Sequence, residues 1–180
     1  PNKSQNVYTG YLSSVIQILQ SYPIVLNLDS AFSIDKSRNI LTNKKIATDC
    51  DYLLFFDSDM GIHFKLSQLL NMNKDIVGAL YPIVWTDKLQ KKEIYSACCY
   101  KWNEKEQLYN PLKFLNFGIK EVDAIGGGFM LIKRKVLLNK EWEKYGKIPI
   151  QKDQPEVKGL KFFEFTEYGE DMTFCRRAKE

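Results

Sequence analysis

Hydrophobic and polar positions follow two different rhythms along this chain. Over residues 5–22, apolar side chains recur at Tyr8, Tyr11, Leu12, Val15, Ile16 and Leu19, the spacing of a helix with one buried face. Residues 23–28 (Pro-Ile-Val-Leu-Asn-Leu) read as a short strand and residues 30–35 as a loop. A second helix is predicted to begin at Asp35 or Ser37, both good capping residues, and to carry Ile40, Leu41 and Ile46. Tyr52-Leu53-Leu54-Phe55-Phe56 is the most hydrophobic run in the chain. A run so short, apolar and aromatic predicts a central strand buried on both faces. A short helix with Leu66, Leu69 and Leu70, then a strand over residues 75–81 stopped by Pro82, complete the first half. Helix alternating with strand three times predicts a parallel α/β sheet.

The second half changes character. Residues 85–92 read as a polar loop, and strands are expected over 94–100, 122–125 and 129–132, with Gly126-Gly127-Gly128 turning between the last two. A helix over 135–145, a polar stretch over 147–158 and a last strand over 162–165 follow. Gly169-Glu170-Asp171 then opens a helix that continues to the end. No internal repeat or low-complexity tract is present. The chain opens on Pro1 just ahead of a helix and closes inside another. A strand before Pro1 would complete the alternation, so residues 1–180 are expected to be a single domain, truncated at both ends, that changes character between residues 1–84 and 85–180.

Composition narrows the function classes. A length of 180 residues suits one domain with a full core. The net charge is +4, but the basic residues are scattered as Lys44-Lys45, Lys91-Lys92, Lys133-Arg134-Lys135 and Arg176-Arg177. That scatter reads as solvated surface rather than a nucleic-acid-binding stripe. No apolar run is long enough to span a bilayer. The four cysteines, at 50, 98, 99 and 175, have no metal-site spacing. They read as buried free thiols of a reducing compartment, which points to the cytoplasm.

The candidate chemistry lies where the apolar run ends, at Asp57-Ser58-Asp59. Ligands collect at the carboxyl ends of strands in open α/β sheets. Two hard oxygen ligands at such a place point to Mg²⁺ or Mn²⁺ held against a phosphate.

Several segments, taken in order, resemble the nucleotide-sugar-dependent glycosyltransferases of the GT-A fold, in particular the inverting family-2-like group. They are Ser37-Arg38-Asn39 before the acidic strand, Asp57-Ser58-Asp59 after it (the DxD motif of that family), and Gly169-Glu170-Asp171 with Phe174, Arg176 and Arg177 behind it. Between them, the segment from Val122 to Ile132 with its three glycines is similar to the family's acceptor-side segment, and Tyr81-Pro82 matches a Tyr-Pro often seen there. Small virus- and phage-type members look closest, and for a viral protein the implied compartment is the host cytoplasm.

The resemblance implies a GT-A-like, mostly parallel sheet with an antiparallel element in the second half. It also implies a single catalytic domain with a nucleotide-binding half (1–84) and an acceptor-binding half (85–180), transferring a sugar from a UDP-, GDP- or dTDP-sugar to a glycan or glycoprotein. Asp59 would be the metal ligand, with Asp57 on the metal or the ribose. Arg38, Ser58, Gly127 and Gly128 would complete the nucleotide-sugar site, and Tyr81, Trp85 and Gly126 the acceptor site. Asp171, with Glu170 as the alternative, would take the proton of the attacking hydroxyl. Each residue also has a plainer reading: a surface arginine, a hairpin turn of glycines, aromatic packing, or acids placed at a helix N-terminus. A nucleotidyltransferase and a non-catalytic nucleotide-sugar-binding module are the rival functions.

Overall fold

The computed structural model describes residues 9–27, 33–87, 92–112, 118–151 and 154–180. In chain order the elements are α1 (Thr9–Ser21), α2 (Ile34–Ile46), β1 (Tyr52–Phe56), α3 (Leu66–Leu70), β2 (Ile76–Gly78), β3 (Pro82–Asp87), β4 (Lys92–Ala97), β5 (Cys99–Asn103), β6 (Leu108–Pro111), β7 (Ala124–Ile125), β8 (Phe129–Lys133), α4 (Arg134–Leu137), a 3-10 helix (Lys140–Tyr145), β9 (Lys147–Pro149), β10 (Lys158–Leu160) and α5 (Glu170–Arg177).

The expected parallel, GT-A-like sheet is not what these strands build. Among the described residues the strands form four small sheets: β1-β8-β2, β6-β5-β7, β3-β4 and β9-β10. Every ladder in them is antiparallel. β8 lies between β1 and β2 and runs against both, so two strands that follow one another in the first half never pair. The chain is of mixed α/β content, and the two halves expected from the sequence share one sheet.

Side-chain alternation along β8 explains its place. Met130 and Ile132 point into a core with Phe55, Leu137, Trp142, Phe162, Phe163 and Phe174. Phe129 and Leu131 point the other way, into a core with Ile18, Ile62, Leu66 and Leu69. All four β8 side chains are essentially inaccessible. A central strand covered on both faces is a continuous apolar run whichever way its neighbours run. The most apolar run, expected as the central buried strand, is instead the edge strand β1 among the described residues, where only Phe55 is fully buried, so the runs told neither strand direction nor place in the sheet.

Other expectations are also corrected. Residues 23–27 pair with no described strand, and residue 28 lies outside the described residues. Leu12, Ile16 and Leu19 of α1 stay exposed, as do Ile24, Val25 and Leu26. The polar loop over 85–92 is in part the arms of the β3–β4 hairpin, while residues 88–91 lie outside the described set. The helix expected over 135–145 is a single α turn followed by a 3-10 helix. The expected strand at 162–165 has no ladder. Instead, the Asn39 side chain takes over the backbone pairing. Its Oδ1 accepts from the Phe162 and Phe163 amides at 2.6 and 2.9 Å, and its Nδ2 donates to the Phe163 carbonyl at 2.7 Å. Phe162 and Phe163 can then be buried without a neighbouring strand, because both amides and the Phe163 carbonyl are satisfied.

Candidate functional site

The register of β1 against β8 assembles the site. Phe56 opposes Phe129, so the next step along each strand brings Asp57 against Gly128, and the Asp57 amide donates to the Gly128 carbonyl at 2.8 Å. The Met60 amide closes the following turn on the Asp57 carbonyl. Asp57 is half-exposed, and Ser58 and Asp59 are exposed at the tip.

None of the three buried glycines facing this turn has the positive φ that would itself demand glycine. Each lacks a side chain because another residue already occupies the space. A β-carbon on Gly126 or Gly128 would collide with the Tyr81 ring or hydroxyl, and one on Gly127 would collide with the Arg38 guanidinium. The Gly128 amide donates to the Tyr81 hydroxyl at 3.0 Å. The space expected to admit a sugar at these positions is filled by the protein's own Arg38 and Tyr81.

The tip of α5 supplies the other two acids. Gly169, at φ 89°, turns the chain into the helix through a conformation that side chains other than hydrogen disfavour. Asp171 Oδ2 accepts from the Gly127 amide at 2.9 Å and Oδ1 from the Met172 amide at 2.8 Å. Glu170 turns inward and is buried, its Oε1 accepting from Arg38 Nη1 at 2.6 Å. The Glu170 carboxylate therefore faces Arg38, whereas that of Asp171 faces the glycine loop. Arg38 is itself buried at 4% exposure, so it is not the exposed arginine at a helix start that the plainer reading allowed.

An open cleft of about 800 Å³ lies beside the turn. Asp57, Asp59, Met60, Tyr81 and Ile83 line one part of it, and Ser13 and Gln17 of α1 line another, with His63 on its wall. Ser14 holds α1 in place there, donating to the Gly10 carbonyl and accepting from the Ile62 amide. The α1 residues were not legible as site residues, since polar positions on a helix read as a solvated face. Asp171 is not among the cleft-lining residues and stands on the other flank of the glycine loop. Trp85 sits in β3 with its backbone paired to Ile94.

The electrostatics are lopsided. Burial, and the neighbouring charges of Asp59 and Asp171, push the Asp57 carboxyl above the usual carboxylate range, with only Arg38 opposing them. Glu170 is pushed the same way by burial and by Asp171. Burial raises the Tyr81 phenol as well. Of these four carboxylates, Asp57 and Glu170 pair with the single guanidinium of Arg38. Among the described residues no group of three or more His, Cys, Asp or Glu side chains forms a ready metal cage. Two carboxylates at an open cleft with surplus negative charge nevertheless fit Mg²⁺ or Mn²⁺, which bind through one or two carboxylates and take their remaining ligands from phosphate and water.

Comparison with known proteins gives no family model and no curated sequence that matches this chain. Among the described residues, no helix is long and apolar enough to cross a membrane.

Proposed function

We propose that this chain is a metal-dependent glycosyltransferase that moves a sugar, with inversion, from a nucleotide-diphosphate sugar to a glycan or glycoprotein. One observation carries the reading. The Asp57–Asp59 turn and the Asp171 helix tip, far apart in sequence, meet at the two flanks of one glycine loop beside a cleft of nucleotide-sugar size. Asp57 and Asp59 would hold a divalent cation, which supplies Lewis-acid stabilisation for the charge that grows on a departing diphosphate. Tyr81 lines that cleft while its hydroxyl accepts from the Gly128 amide, tying the cleft wall to the glycine loop. Asp171 is anchored by two backbone amides and keeps lone pairs free for the proton of an attacking hydroxyl. Its four thiols are free, and the cytoplasm is the compartment we propose.

A second reading, a nucleotide-sugar-binding module without turnover, is favoured by the position of Asp171 outside the cleft lining. Thermal-shift screening of UDP-, GDP- and dTDP-sugars with and without Mn²⁺ tests both readings, because a ligand that binds only the folded chain raises its melting temperature. The glycosyltransferase reading expects a Mn²⁺-dependent shift and slow donor hydrolysis. A shift without hydrolysis or transfer selects the binding module, and no shift with any donor overturns both.

A further inference from the structure

Arg38 stands at the meeting point of three segments. Nη1 donates to Glu170 at 2.6 Å, and Nη2 lies 3.5 Å from Asp57 Oδ2. The guanidinium lies about as far from the ring centres of Phe55 and Phe163, at 5.7 and 6.0 Å, as cation–π attraction reaches. Its third contact is the backbone at Gly127, where a β-carbon would fall inside the guanidinium's van der Waals surface. The amide of that same glycine holds Asp171. A group buried this deeply cannot swing out to a ligand without leaving the Glu170 carboxylate unpaired in the interior, a costly state.

We infer that Arg38 is a positioning residue. It fixes the cation-binding turn at Asp57 relative to the proton-accepting Asp171, acting through Glu170 and Gly127 and not touching the nucleotide. This inference rests on the transferase reading for its catalytic consequence, but the geometry it asserts can be read without catalysis. Arginine suits the task because its planar fork can address Glu170 and Asp57 together while lying flat against a glycine, which a lysine ammonium cannot do.

Three variants test it: Arg38→Lys, Glu170→Gln and Gly127→Ala, the last keeping every charge and only adding a methyl under the guanidinium. Each is expected to lower kcat for transfer by about 100-fold, the cost of a small misplacement of reacting groups. Titration calorimetry with Mn²⁺–UDP and Mn²⁺–GDP is expected to give an unchanged Kd. Because two of the lesions act on one contact, Arg38→Lys combined with Gly127→Ala should lose little more than either alone. A raised Kd with kcat retained would make Arg38 a nucleotide ligand and overturn the inference. Lowered melting temperatures with kcat retained would reduce it to a stability residue and do the same.

If the parent protein transfers no sugar, the functional reading fails and the positioning claim is judged on hydrogen exchange alone. Arg38→Lys should then speed exchange of the Gly127 amide by about tenfold, the worth of one hydrogen bond, relative to the Phe129 amide. Equal protection of Gly127 in the parent and the variant would overturn it.

Discussion

The two ends of α5 treat carboxylates in opposite ways. At its first turn, Glu170 and nearby Asp57 are held above the usual carboxylate range, chiefly by burial, with one shared guanidinium to offset them. Around its last turn and beyond, carboxylates are held below that range by dedicated partners. Glu164 takes its hydrogen bonds from Arg177 and Lys161, Asp123 from Lys179 and the Trp102 amide, and Glu180 from Tyr145. The paired end is what stability alone would select. The under-compensated end carries an electrostatic cost beside a cleft, the arrangement expected where a ligand is to supply the missing positive charge.

The sharpest way to break this contrast is at Asp171. Asp171→Asn keeps an oxygen for the Gly127 amide and removes the proton acceptor. Transfer should fall by about 1,000-fold, within the usual range for a lost general base, while the Kd for Mn²⁺–nucleotide holds. Steady-state transfer measured beside calorimetry decides it, and a parent-like rate moves the base elsewhere. Asp59→Ala comes next. Removing one of two protein ligands should weaken Mn²⁺-dependent binding of UDP or GDP by about 100-fold, at the upper end of what losing a supporting residue costs. Asp59 is exposed, so the melting temperature should stay put. Affinity that is the same with and without Mn²⁺ would remove the cation from the site. At the opposite end, Glu164→Gln should cost about 1 kcal/mol of stability with no effect on binding, since its partners Arg177 and Lys161 are partly exposed. A loss of nucleotide affinity in this variant would erase the distinction between the two ends.

Features marked by neighbouring residues were legible in the sequence, and features made by distant partners were not. The strand ending at Phe56, the acidic turn after it and the helix opening at Glu170 all carry local signals, and each is present. Strand direction is not a local property, and the helix–strand alternation of the first half pointed the wrong way because β8 enters from the second half. Phe162 and Phe163 have the hydrophobicity of a strand but owe their burial to Asn39, a partner more than 100 residues away. At the site, Asp57 and Asp59 could be named from their place at the end of an apolar run, and Asp171 only from the resemblance. The true neighbours of the three glycines, Arg38 and Tyr81, could not, because close packing against a missing side chain leaves no periodicity to read.

The smallest expected effect concerns acid, and it separates the two ends by sign. Asp57 and Glu170 titrate above their ordinary range in the folded chain. What they contribute to stability is therefore fully present below the unfolded value of about 4 and is lost as pH rises through the raised folded value. Asp123, Glu164 and Glu180 titrate below theirs. Their contribution is present above the unfolded value and is lost as pH falls through the lowered folded one. On acidification from neutrality, the melting temperature should first hold or rise slightly as the site carboxylates take up protons. Below about pH 4 it should drop as the paired carboxylates give up their partners. Asp57→Asn should remove part of the early rise and leave the later drop, while Glu164→Gln should do the reverse. With most of these groups partly exposed, each difference should be small, a few degrees at most for a chain of this size. Melting curves at half-unit pH steps would resolve it. An Asp57→Asn curve that parallels the parent above pH 4 would mean that the site carries no surplus charge, and the contrast between the two ends of α5 would then lose its physical basis.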